Sequence, residues 1–123
     1  MVAPRLHHPT GVLNPIVTSL ERYMDLLSTR QKLVASNIAN ADTPGYKTRD
    51  LDFQFEYMSL LEGGAPRPVE VLGLTSKNDG NNVSLDREAR LLAENALRFG
   101  VASQLLRGEI RAVRSAIQEG RNG

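Results

Sequence analysis

Cysteine is absent from this 123-residue chain, which excludes disulfides and thiolate chemistry. That absence fixes no compartment, because a chain without thiols is safe in reducing and oxidising surroundings alike. Tryptophan is missing too and aromatics reach only 5%, so neither an aromatic-rich core nor a base-stacking platform is expected. Neither sign of charge is in excess: 15 Lys and Arg stand against 14 Asp and Glu, a formal charge of +1. The basic footprint of a nucleic-acid-binding protein is therefore lacking. No apolar run approaches the roughly 18–20 residues of a membrane span, so no direct span is expected. The opening "MVAPRLHHPTGVLNP" has no apolar h-region, and no cleaved signal peptide is expected from it.

Constellations for catalysis are equally scarce. His7 and His8 are the only histidines, and adjacent residues in a Pro-flanked tail lack the spacing of two ligands on one helical face. Asp50, Asp52 and Glu56 lie close in sequence, but acid–base chemistry needs a cleft and a raised pKa; they read as solvated charges or caps. No Gly-rich phosphate loop is present, and no serine has a histidine within its motif. Asn82-Val83-Ser84 matches a glycosylation sequon, but its better reading is a turn and helix cap. The expectation is a protein that is not an enzyme, with no metal and no cofactor.

What the chain does have is two long apolar stripes. Asn14 suits an N-cap and Pro15 a first helical position. From there Val17, Leu20, Met24, Leu27, Gln31, Val34, Ile38 and Ala41 recur at steps of three and four, a heptad seam with one polar member. Later, Ser84 can cap, Asp86 and Glu88 favour the first turn, and Gly120 supplies a stop. This second seam runs Leu85, Ala89, Leu92, Ala96, Phe99, Ser103, Leu106, Ile110, Val113, Ile117. The predicted helices, over 14–41 and 84–119, would be roughly 40 and 50 Å long. They are rods rather than the helices of a small globule.

Beside these seams lie extra apolar residues. Leu97, Val101 and Leu105 recur every four residues away from the second seam, and Leu26 and Leu33 lie off the first. A two-helix hairpin leaves them in water, which points to further copies or partners, or to a covering element from the middle of the chain. Gly100 and Gly108 weaken the isolated helix or allow close approach; the sequence does not separate these. Over 42–83 the signals are softer. "LDFQFEYMSLL" fits strand or helix; a short helix is favoured because Gly63-Gly64 stops the run, and Val69 with Val71 suggests a short strand in an otherwise irregular loop.

Between the first rod and this loop stands "SNIANADTPGY", Ser36–Tyr46. Asn37, Asn40 and Asp42 can bond freed backbone groups as the helix ends. Thr43 precedes Pro44 and is pushed from the helical region. Pro44-Gly45 suits the centre of a type II turn, and Tyr46 adds an aromatic body with a hydroxyl. A plain turn needs only Pro44 and Gly45. The added density of polar groups suggests a rigid corner pressed into an interface.

The stretch "RQKLVASNIANADTPGYKTRDLDF" closely resembles the signature of the bacterial flagellar basal-body rod and hook proteins. "GNNVSLDREARLLAENALRFGVASQLLRGEIRAVRSAIQ" is similar to the end of a short, proximal member of that family, although Phe99-Gly100 stands where the family commonly has Tyr-Gln. The resemblance implies an axial subunit whose terminal helices pair and pack around a channel. It further implies export by the flagellar type III apparatus without a cleaved signal, assembly in the periplasm, and partners among copies of itself, other rod proteins, and the ring and export-gate proteins at the rod base.

The resulting expectation is an all-α, antiparallel coiled-coil hairpin with an irregular middle loop and a short helix, flanked by tails at 1–13 and 120–123. Its helix-pair seam is Leu20, Met24, Leu27, Val34, Ile38, Leu92, Phe99, Leu106, Ile110 and Val113. Its assembly corner is Asn37, Asn40, Asp42, Thr43, Pro44, Gly45 and Tyr46. Its inter-subunit stripe is Leu97, Val101 and Leu105. A coiled-coil adaptor or chaperone-like protein of the flagellar export system is the alternative.

Overall fold

The computed structural model describes residues 15–122; the Asn14 cap, Leu13 and the 1–13 tail lie outside the described residues. The elements run α1 (Pro15–Ala39), β1 (Arg49–Asp50), α2 (Phe53–Leu61), β2 (Val69–Glu70) and α3 (Leu85–Asn122). The chain is therefore mainly α, with long helices in its N- and C-terminal parts. The 25 residues of α1 and 38 of α3 correspond to about 37 and 57 Å. One correction concerns the end of α3. Gly120 has no positive φ and the helix continues through it to Asn122, since a glycine ends a helix only where it turns left-handed.

A second correction is the small sheet. β1 pairs antiparallel with β2, Arg49 opposite Glu70 and Asp50 opposite Val69, and the Val71 N–H continues to the Thr48 carbonyl at 2.9 Å. The Val69–Val71 alternation was a visible signal; its partner, the charged dipeptide Arg49–Asp50, was not. α2 is helical despite its alternating aromatics, and Gly63 at φ 89 takes the left-handed conformation just beyond it.

Contacts between α1 and α3 run in opposite directions. The Asn37 amide meets Glu88, the Leu27 carbonyl meets Asn95, and Tyr23 meets Arg98. α2 lies against a different side of α1, where Tyr23 packs edge-on to Phe53 (5.6 Å) and Tyr57 (6.4 Å) and the Arg30 guanidinium sits 5.5 Å from the Phe53 ring centre. Consequently Leu26, expected in water off the seam, is 0% exposed. The middle segment covers the flank of α1, and burial of such a leucine is worth about 1.5–3 kcal/mol.

The face α3 turns to α1 also differs from the apolar seam. Its buried positions are Glu88, Asn95 and Ala102, spaced by seven, while Leu92, Phe99 and Ile110 stand beside this line and stay partly exposed. Glu88 and Asn95 are bonded to α1 on this face, and the leucine line flanks the contact. On α1, Ile38 is 39% exposed, because the neighbouring Asn37 is the residue aimed at α3.

Candidate functional site: a polar corner joining both helices

The corner begins where α1 runs out of helical partners. Asn40 Nδ2 donates back to the Ser36 carbonyl (2.8 Å), and Asn40 Oδ1 accepts from the Thr43 hydroxyl (3.0 Å). Next comes a tight turn: the Tyr46 N–H reaches the Thr43 carbonyl at 3.2 Å, and Gly45 has φ 75. Pro44 followed by a left-handed Gly45 is the pattern of a type II turn. A second loop, Asp79–Val83, closes on it. The Gly45 N–H donates to the Asp79 carbonyl (2.9 Å), and a Cβ on Gly80 would lie 3.5 Å from the Gly45 Cα. Both glycines have positive φ, 75 and 85, and it is this left-handed backbone rather than crowding that favours glycine in the two loops.

Asn81 and Asn82 carry this closure. Fully buried Asn81 donates through Nδ2 to the carbonyls of Asn40 (2.9 Å) and Thr43 (2.8 Å). Asn82 Oδ1 accepts the Thr48 N–H (2.6 Å), and the Asn82 N–H reaches the Tyr46 carbonyl (3.2 Å). Ser84 Oγ then accepts the Arg87 N–H at 3.2 Å, capping α3. Sequence reasoning took this stretch only as a turn and cap. The repeated Asn and Asp at 79–82, matching the density at 37–42, was the available signal.

Asn37 is the hub. Its Nδ2 donates to the Arg49 carbonyl and to Glu88 Oε1, both at 2.8 Å, and its Oδ1 accepts from the Tyr46 hydroxyl (2.9 Å) and the Arg49 N–H (3.2 Å). An amide has two donors and two acceptor sites, so Asn37 is saturated within its own chain. This revises the reason for the corner's polarity: Asn37 binds the two helices of one chain together. Asp42, Thr43, Pro44 and Gly45 form the exposed rim, while Tyr46 is half-buried.

Beneath the corner lies a balanced ion network. Arg30 holds Asp50 with two parallel bonds of 2.9 Å, Arg87 reaches Asp50 at 2.6 Å, and Arg87 also binds Glu88 at 2.7 Å. Two cations and two anions from α1, β1 and α3 are thereby joined out of bulk water. Burial alone would raise the Asp50 pKa, but bonds from Arg30, the Leu51 N–H and Arg87 outweigh it and hold the carboxyl below its ordinary value. Burial likewise opposes the charge on Arg87, whose pKa is nevertheless raised by Glu88 and Asp50. The reading of Asp50 and Glu56 as solvated is corrected: both are buried, Asp50 in this network and Glu56 accepting the Arg67 N–H at 3.1 Å.

The remaining sequence-predicted positions lie along the rods. Leu27 and Val34 are buried; Leu20, Met24, Leu106 and Val113 are half-buried. Leu97, Val101 and Leu105 are 69%, 52% and 56% exposed, a bare apolar line on one side of α3. Among the described residues no group of His, Asp and Glu is placed to hold a metal ion, and no helix is long and apolar enough to cross a membrane.

A rod pair pinned at one end by a saturated polar corner, with apolar stripes left outside, is the design of a scaffold subunit. The sequence model of the family described as flagella basal body rod protein matches residues 24–47, the second half of α1 and the corner. The flagellar basal body rod protein FlgB of Yersinia enterocolitica is 33% identical over 122 aligned residues, covering 79% of this chain and 89% of the relative. FlgB of Escherichia coli K12 is 32% identical with 79% and 88% covered, and FlgB of Borrelia hermsii 30% identical with 79% and 91% covered. The chain belongs to the FlgB family of flagellar basal body rod proteins.

Proposed function

We propose that this protein is a structural, non-enzymatic axial subunit of the proximal rod of the flagellar basal body, needed for flagellum assembly and motility. The observation that carries this reading is the extended likeness to FlgB proteins, reaching about nine-tenths of their length. In this reading α1 and α3 act as an antiparallel coiled-coil hairpin. Leu20, Met24, Leu27 and Val34 meet α3 within the subunit, and Leu106 meets α1. Ile38, Leu92, Phe99, Ile110 and Val113 complete the seam when neighbours close over them.

Leu97, Val101 and Leu105 are the stripe for contacts between subunits. The corner residues Asn37, Asn40 and Tyr46 hold the rim Asp42–Gly45 rigid for neighbours to read. Partners are copies of itself, other rod proteins, and ring and export-gate proteins at the rod base. The chain is exported through the flagellar type III apparatus without a cleaved signal and assembles in the periplasm.

The test is an imaging reconstruction of basal bodies purified from a strain whose sole copy of this protein carries a small epitope tag. Label in the proximal rod supports the reading. A tagged protein found only in small soluble complexes, with normal rods built without it, would favour an export adaptor instead.

A further inference from the structure

Gln31 is the polar member of an α1 seam that otherwise reads Val17, Leu20, Met24, Leu27, Val34 and Ile38. Across from it stands Asn95 of α3, only 5% exposed. Asn95 Nδ2 spends its two protons on α1, one on the Leu27 carbonyl at 2.8 Å and one on Gln31 Oε1 at 3.1 Å. A carbonyl only accepts, so the bond to Leu27 fixes which end of the amide is nitrogen. The amide oxygen is then buried with no partner among the described residues.

Stability does not explain this contact. The Leu27 carbonyl lies inside α1, where the Gln31 N–H already serves it in the helix's own ladder. Gln31 is exposed and can turn to water. Removing Asn95 therefore strands no group on α1, whereas keeping it buries an acceptor without a donor; an apolar residue of fitting shape there is neutral or stabilising. What the amide does supply is geometry. Seven residues either side of Gln31 stand Met24 and Ile38, which offer no oxygen acceptor, so a slip by one heptad forfeits the side-chain bond. A single buried polar pair in an apolar seam is a register device of this kind.

Rotation depends on the same amide. Leu92, Phe99 and Leu106 each follow a buried residue of α3 (Glu88, Asn95 and Ala102) by four positions. The apolar line therefore lies about 40° round the helix from the buried one. A turn of α3 through that angle would bring the apolar line onto α1 and carry Asn95 off Gln31. At the corner, Asn37 holds Glu88. Asn95 repeats the tie one heptad further along the rods, and the next buried position, Ala102, has no polar side chain to continue it.

We propose that Asn95 and Gln31 form a lock that carries the corner's alignment into the rods, keeping Leu92 and Phe99 at the subunit surface for neighbouring rod subunits instead of inside the helix pair. The lock deepens the rod-subunit reading and rests on it for the use of that surface. Asn95 is a positioning residue for assembly and adds nothing to the stability of the lone chain.

Since the chain has no cysteine, a pair of spin labels can be placed through Lys32→Cys and Gly100→Cys. Lys32 is exposed, and a Cβ at Gly100 meets nothing within 4 Å. The purified full chain is expected to give one narrow label-to-label distance. Adding Asn95→Leu is expected to shift or broaden it by roughly 4 Å, the arc that such a turn sweeps at the helix surface, without lowering the urea midpoint. Asn95→Ala, which adds no bulk, should move the distance the same way and keeps the test decisive if leucine overfills the site. Gln31→Leu should give a smaller shift, and combined with Asn95→Leu no more than Asn95→Leu alone, as for two members of one contact. In cells with no other copy, Asn95→Leu at matched expression should remove most flagella.

An unchanged distance in both Asn95 variants overturns the lock, and because it is read on the purified chain it leaves the rod reading intact. Loss of the folded helix pair in both variants makes Asn95 a stability contact and also overturns it. So does a shifted distance with normal flagella. Absence of the protein from basal bodies overturns the rod reading instead, and with it the purpose given to the lock.

Discussion

Asn37 near the end of α1 and Glu88 in the first turn of α3 stand 51 positions apart in sequence and share a buried 2.8 Å hydrogen bond. That bond joins the corner to the ion network below it, because the other Glu88 oxygen is held by Arg87. Truncating Asn37→Ala strands the buried Glu88 Oε1 and leaves the part-buried Arg49 carbonyl without its amide donor. A loss of about 2–3 kcal/mol is expected, beyond the ~1 kcal/mol of an ordinary hydrogen bond. Tyr46→Phe removes the bond to Asn37 and a longer, exposed one with Ser36, and should cost about 1 kcal/mol. Urea titration of helicity in the purified chain checks both, and equal effects would remove Asn37 from its place as hub.

Asp50 gives the corner a pH dependence. Its pKa is lowered in the folded chain, so the unfolded chain takes up the proton first as pH drops. The stabilisation is therefore fully present above roughly pH 4 and is lost as pH falls through the folded pKa. Asp50→Asn should abolish this part of the acid slope and, by leaving Arg30 and Arg87 without their shared carboxylate, cost about 3 kcal/mol at neutral pH. Unfolding curves between pH 2 and 7 decide it; an unchanged slope in the variant would mean that other carboxylates set it.

Gly45 separates backbone strain from crowding. A Cβ there meets nothing within 4 Å, yet φ is 75, so only the left-handed conformation penalises a side chain. Gly45→Ala should cost about 1–2 kcal/mol and Gly45→Val more, since a β-branched residue resists positive φ further. Pro44→Ala should stay within about 1 kcal/mol, acting mainly on the unfolded chain. Flagellation at matched expression should follow the same order, and normal flagella with Gly45→Val would show a tolerant surface turn.

Val101 and Leu26 test where intramolecular packing stops. Leu26→Ala empties a fully buried position and should cost about 2–5 kcal/mol in the isolated chain. Val101→Glu changes a half-exposed position and should stay within about ±0.5 kcal/mol there, yet block rod assembly, whereas Val101→Ala should not. Assembly unimpaired by Val101→Glu would remove the stripe from subunit contacts.

Hydrogen exchange should rank the same regions. Amides of Thr48, Arg49 and Val83, each bonded to a buried asparagine, should exchange more slowly than amides of α3 beyond Arg107, which lie among exposed residues. Uniform protection along α3 would contradict this gradient.

Two rods and a turn between them were legible from local rules alone. Heptad spacing marks α1 and α3, and Thr-Pro-Gly-Tyr spells a turn whose φ values depend only on its own residues. Tertiary structure decided what the polar residues are for. Asn37, Asn81, Asp50 and Arg87 have no common period, and their partners come from segments tens of residues away, so nothing local distinguishes a hub from a solvated side chain. The rotation of α3 was likewise hidden: hydrophobic spacing favours Leu92 and Phe99 as the seam, whereas the buried line is Glu88, Asn95 and Ala102. Bonds from Glu88 and Asn95 to α1 offset their desolvation, although Asn95 Oδ1 has no partner among the described residues, and no local rule shows that the leucine stripes are left outside.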